Sequence, residues 1–100
     1  MSVFVSDSTV PVPGAAEKLR ERALAAGWSA RIDARRGGWR EREYESVLVR
    51  VWDAEEREYG VAEYLDGKAA RAYWIGTRPG QQAAALERVS FAEFGRKLRR

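Results

Sequence analysis

The dipeptide Asp66-Gly67 lies between two stretches that alternate apolar and polar side chains, about 58–65 and 68–76. A two-residue type I′ turn needs positive φ at both central positions, and Asp-Gly is among the few pairs that accept it with little strain. The pair predicts an antiparallel hairpin and, because a lone hairpin is marginal in water, a larger sheet around it. It also predicts a register. Counting outward from the turn places Leu65 opposite Lys68, Glu63 opposite Ala70, Val61 opposite Ala72 and Tyr59 opposite Trp74. One side of the hairpin then shows Tyr59, Val61, Leu65, Ala70, Ala72 and Trp74. The other shows Gly60, Ala62, Tyr64, Ala69, Arg71, Tyr73 and Ile75.

The elements on either side follow from periodicity. Ala16, Leu19, Ala23 and Ala26, with Leu24 beside them, recur at helical spacing, which predicts a helix over about 15–26. Gly14 suits its N-cap and Gly27 its left-handed end. Residues 1–13 read as an extended N-terminal arm in which Val3-Phe4-Val5 suits a short strand, with Pro11 and Pro13 barring regular pairing after it. From Trp28 the period drops to two: Trp28, Ala30, Ile32 and Ala34 alternate with Ser29, Arg31, Asp33 and Arg35. Arg36-Gly37-Gly38 reads as a break, followed by a charged loop to about Tyr44. Residues 45–53 form the next strand, with Val47, Val49 and Val51 on one face and Ser46, Leu48, Arg50 and Trp52 on the other.

Beyond the hairpin, Thr77-Arg78-Pro79-Gly80 suits a turn, and 81–88 reads as a loop or a short helix. Ser90-Phe91-Ala92-Glu93 is a capping box, with Val89 and Phe94 at staple positions and Phe91, Phe94 and Leu98 as the apolar stripe of a last helix. The expected fold is α+β. It is a four-stranded antiparallel sheet with an N-terminal and a C-terminal helix on one face, order α-β-β-β-β-α, in a single domain over residues 1–100.

Composition limits the chemistry. The chain has 100 residues, no Cys and no His, which leaves no disulfide, no thiolate or imidazole metal ligand and no Cys–His or Ser–His nucleophile pair. No nucleophile elbow or phosphate-binding glycine loop is present, so the expectation is a non-enzymatic protein without cofactor or metal. The start Met1-Ser2-Val3-Phe4-Val5 lacks the basic and long apolar parts of a signal peptide, so a cytoplasmic location is expected. The net charge of +3 comes from the tail Arg96, Lys97, Arg99 and Arg100; residues 1–95 hold 14 basic and 15 acidic groups. Within that body, 31–42 is locally basic and 53–63 locally acidic, a polarity suited to oriented contact.

The candidate interaction surface is the sheet face opposite the helices. With Ile32, Val47, Val49, Val51, Val61 and Trp74 taken by the core, the other side carries Arg31, Arg35, Leu48, Arg50, Trp52, Tyr64, Arg71 and Tyr73. Tyr, Trp and Arg are the side chains of protein-binding hot spots, which predicts a protein partner or a homo-oligomer. Arginines interleaved with aromatics also suit single-stranded nucleic acid, with Trp52, Tyr64 and Tyr73 stacking on bases and the basic tail adding attraction. The plain alternative is that Arg stems and Tyr rings tile a solvated face. Arg35-Arg36-Gly37-Gly38-Trp39-Arg40 is a single copy of an arginine-glycine pattern and reads as a loop. Asp53, Glu55, Glu56 and Glu58 match no calcium loop and read as a solvated turn. For a carboxylate pair such as Asp33 with Glu63, which sits in no recognisable motif, geometry decides whether acid–base chemistry is open to it. The basic tail shares its helix with an apolar stripe that suits docking on the sheet rather than on a membrane.

Arginine outnumbers lysine 15 to 3. The run Glu21-Arg22-Ala23-Leu24-Ala25-Ala26-Gly27-Trp28, with the alternating strands, Asp66-Gly67, Trp74 and a short terminal helix, resembles small uncharacterised proteins of actinobacteria and their phages over about 15–99. The resemblance implies an intracellular protein and transfers no site. The helix–strands–helix order is also similar to that of double-stranded-RNA-binding domains. Ser90-Phe91-Ala92-Glu93 stands, however, where their last helix begins with basic residues.

Overall fold

The computed structural model describes residues 3–55, 57–76 and 85–99. Six strands form one antiparallel sheet in chain order: β1 (Val3–Ser6), β2 (Ser29–Trp39), β3 (Arg42–Trp52), β4 (Glu58–Leu65), β5 (Lys68–Gly76) and β6 (Ala85–Val89). Helix α1 (Gly14–Ala25) connects β1 to β2, and α2 (Phe91–Leu98) follows β6. Both helices pack on one side of the sheet. Ala16, Leu19 and Ala23 of α1 and Phe94 and Leu98 of α2 meet Val47, Val49, Val51, Ala62, Tyr64, Ala72 and Trp74.

Aromatic side chains join the layers. Trp28 and Trp74 meet edge to face at 5.3 Å, Trp74 and Phe94 at 5.4 Å, and the Trp28 Nε1–H donates to the Leu98 carbonyl at 2.9 Å. Gly60 permits this stack. A Cβ there would come within 2.6 Å of the Trp74 ring and 2.8 Å of Phe94. The helix ends are set locally. Gly27 has φ +92° and Trp28 N–H donates to the Ala23 carbonyl, closing α1 in a left-handed cap. Ser90 Oγ accepts from the Glu93 amide at 3.0 Å at the start of α2. Pro13, not Gly14, stands at the N-cap of α1, its carbonyl accepting from Ala16 and Glu17.

Several features differ from the sequence reading. The sheet has six strands, not four, and the order is β-α-β-β-β-β-β-α. Val3–Ser6 is the short strand expected there and joins the sheet as one edge, while Ala85–Val89, in which 85–88 reads from sequence as a loop or short helix, forms the other. The turn expected at 77–80 lies outside the described residues. Arg36-Gly37-Gly38 does not break β2. Gly37 is paired on both sides, with Phe4 of β1 and Tyr44 of β3, so the ladder carries through a position that glycine alone would weaken. The reversal comes at Arg40-Glu41, with φ of 51° and 64°, an I′-like turn without glycine.

The hairpin at Asp66-Gly67 has the expected positive φ at both positions, 50° and 83°. Its register holds for one pair, Leu65 with Lys68, and then slips. Tyr64 pairs with Ala69 and Glu63 with Arg71, so Ala70 is an extra residue in β5. The bulge reverses which side β4 presents. Tyr64 turns to the helices and Val61 to the opposite face, the reverse of the expected placement.

Candidate interaction surface

Residues paired across antiparallel strands share a face, so the side away from the helices reads as rows. One row is Ser29, Trp52, Tyr59, Ile75 and Leu86; the next is Arg31, Arg50, Val61, Tyr73 and Arg88. A third is Asp33, Leu48, Glu63 and Arg71, and a fourth Arg35, Ser46 and Leu65. No described helix covers these rows.

Two carboxylates organise the arginines. Asp33 accepts from Arg50 Nε at 2.7 Å and pairs with Arg31 Nε at 3.2 Å. Glu63 pairs with Arg71 Nε at 2.8 Å and accepts from Ser46 Oγ at 2.9 Å and Arg35 Nη2 at 3.4 Å. Arg35 Nη2 also donates to Ser46 Oγ, and its guanidinium lies 4.9 Å from the centre of the Phe4 ring. Arg50 further donates to the Tyr59 hydroxyl. Leu48, set between Asp33 and Glu63, is only 7% exposed, and Ser46 is fully buried. With no helix above them, the paired polar side chains and their stems exclude water from both.

The electrostatics favour the charged forms of Asp33, Arg50 and Arg71. Burial pushes the Asp33 carboxyl up, but the Arg50 hydrogen bond and the Arg31 charge outweigh it and keep the group below the ordinary carboxylate range. Burial pulls Arg50 down, and hydrogen bonds to Asp33 and Tyr59 leave it raised. Arg71 is raised by its hydrogen bond to Tyr73 and by the Glu63 charge. Asp33 and Glu63 are each held by two guanidiniums, with Leu48 between them in register.

Of the eight residues assigned to the face from sequence, seven share it: Arg31, Arg35, Leu48, Arg50, Trp52, Arg71 and Tyr73. Tyr64 does not. The bulge places it in the core at 4% exposure, edge to face with Phe91 at 5.4 Å, where burial raises its hydroxyl pKa. The structure adds Tyr59, Val61, Glu63, Leu86 and Arg88 to the face, while Ile75 and Asp33 share it as their strand parity with Tyr73 and with Arg31 predicts. Strand parity in 29–35 already placed Asp33 there, whereas Tyr59 and Val61 depended on a bulge that no residue type announces. Leu86 is 58% exposed.

The other candidates lie elsewhere. Asp53 Oδ1 accepts from the Arg57 and Glu58 amides at 2.7 and 3.2 Å, so it caps its own turn, and Glu58 accepts from Trp74 Nε1. Among the described residues no group of three acidic side chains gathers as for a metal. Arg96 pairs with Glu93, Lys97 lies over the helix-side ring of Trp74, and Arg99 caps α2; Arg100 is outside the described residues. Arg96, Lys97 and Arg99 therefore belong to the helix side and do not extend the open face. No helix among the described residues is long and apolar enough to cross a membrane. No family model, curated protein or solved structure matches the chain.

Proposed function

We propose that the chain is a non-enzymatic interaction module that docks a partner protein on the open face of its sheet. One observation carries the reading. Half-buried Trp52, Tyr59, Tyr73 and Ile75 and exposed Leu86 lie on a face that no described helix covers, beside arginines already fixed by Asp33 and Glu63. Fixing the side chains before contact lowers the ordering cost that binding would otherwise carry. The residue types are those that dominate binding hot spots.

The position of the basic tail weighs against single-stranded nucleic acid. Lys97 lies over the helix-side ring of Trp74, so the tail adds no attraction for a phosphate backbone at the open face. A photo-crosslinking amino acid placed at Tyr73, and separately at Lys18 on the exposed side of α1, tests the reading in cells that naturally make the protein. The expected result is one protein adduct from Tyr73, absent from Lys18 and lost when Trp52→Ala is added. Equal adducts from both positions, or nucleic acid as the adduct, contradicts it.

A further inference from the structure

We infer that the partner presents an acidic amphipathic helix to this face. The inference rests on the docking role proposed above and adds the chemistry of the partner. The apolar row Trp52, Tyr59, Ile75 and Leu86 crosses four strands, β3 to β6. Neighbouring strands are about 4.8 Å apart, so the row is about 14 Å long. That length matches the apolar stripe of a helix of two to three turns, at about 1.5 Å per residue. A parallel row runs beside it, two residues along each strand, with Arg31 and Arg50 at one end, Arg88 at the other and Val61 and Tyr73 between them. An apolar stripe with cations at both ends of one flank is complementary to a helix with apolar anchors and carboxylates along one edge.

Charge also argues against a second copy. The four rows hold five arginines, Arg31, Arg35, Arg50, Arg71 and Arg88, against Asp33 and Glu63. Stacking two such faces would bring like charges together as water leaves, which is unfavourable. The pairing on the face leaves capacity for an incoming carboxylate. The Arg31 side chain is 64% exposed and that of Arg71 46% exposed, and each guanidinium has five N–H donors.

The test uses the full chain and a synthetic helical peptide of about 14 residues with Leu at i, i+4 and i+7 and Glu along one flank. Two controls are the same peptide with Lys on that flank and an oligothymidylate. The Glu-flanked peptide is expected to bind and shift Trp52 emission, read in variants that keep Trp52 and replace the other three tryptophans by Phe where they fold, and otherwise by the indole resonances. The double variant Arg31→Glu, Arg88→Glu should weaken that binding roughly ten-fold or more and gain affinity for the Lys-flanked peptide. Failure of the Glu-flanked peptide to bind, equal binding of the Lys-flanked one, or concentration-dependent dimers in sedimentation overturns the inference. Crosslinking confined to Tyr73 would then leave the docking role standing, whereas adducts from both faces would remove that too. Preferred binding of the oligothymidylate overturns both.

Discussion

The two sides of the sheet exclude water by different means. On the helix side, Val49, Val51, Ala62 and Ala72 lie in one core with Leu19 and Ala23 of α1, Phe94 and Leu98 of α2 and the Trp28–Trp74 stack, with the polar indole donors bonded to Leu98 and Glu58. On the open side, Leu48 and Ser46 are buried too, yet charged side chains lie around them. Apolar burial on the helix side is non-directional and supplies most of the stability. Guanidinium–carboxylate pairs near water contribute far less, but they fix geometry. The comparison assigns folding to one side and surface shape to the other.

The largest effect expected is on the helix side. Phe94→Ala removes a fully buried ring that touches Trp74 and should cost about 3–5 kcal/mol in urea unfolding. A loss no greater than that of an open-face Tyr73→Ala variant would erase the distinction. Next comes the turn that precedes the bulge. Gly67 has φ +83°, where a β-branched residue is strained, so Gly67→Val should cost roughly 1–2 kcal/mol. An unchanged melting temperature would mean that this turn does not hold the β4–β5 pairing.

The charge lattice predicts a smaller loss. Glu63→Gln keeps the shape but removes the charge that Arg35 and Arg71 share, and it should cost about 1 kcal/mol, because both guanidiniums stay partly in water. Its clearer effect should be disorder of the Arg35 and Arg71 side chains, seen as lost Nε–H resonances. If those resonances persist, the lattice does not order the face.

The smallest effects are on protonation, and they separate the two sides. Asp7, beside Arg36 at the end of β1, is held down to about 2, first by hydrogen bonds from the Thr9 side chain and amide and then by Arg36. Its folded value lies below the ordinary 3.8, so any stability it contributes is complete above that value and fades as pH falls toward 2. Thr9→Val should raise Asp7 and leave Asp33 unmoved in an NMR titration. Arg50→Gln should raise Asp33 and leave Asp7 unmoved. Movement of both in either variant would show that the sites are coupled through the sheet.

Much of the architecture was legible in residue types. Helical spacing over Ala16, Leu19 and Ala23, the stop at Gly27 and the Ser90 cap are local effects, and the structure keeps them. Alternation in 29–35 and 46–52 set the face of Arg31, Arg35, Leu48, Arg50 and Trp52. What was hidden depends on distant neighbours. Gly37 stays in a strand because Phe4 and Tyr44 flank it, and Ala85–Val89 is a strand because β5 offers an edge. The Ala70 bulge has no local signature, and it alone exchanges Tyr64 for Val61 on the open face. Register errors of one residue move side chains through the sheet, so sites on hairpins are less legible than sites on helices.

The account's central claim, that the open face serves docking while the helix side serves folding, is tested most directly on one double variant, Trp52→Ala with Tyr73→Ala. Its unfolding free energy and its affinity for the Glu-flanked helical peptide would be measured on the same preparation. The account predicts an affinity loss of roughly ten-fold or more, with an unfolding penalty well below the about 3–5 kcal/mol expected of Phe94→Ala. Unchanged affinity together with a stability loss equal to that of Phe94→Ala would contradict it, and would make these rings part of the core rather than a surface kept for a partner.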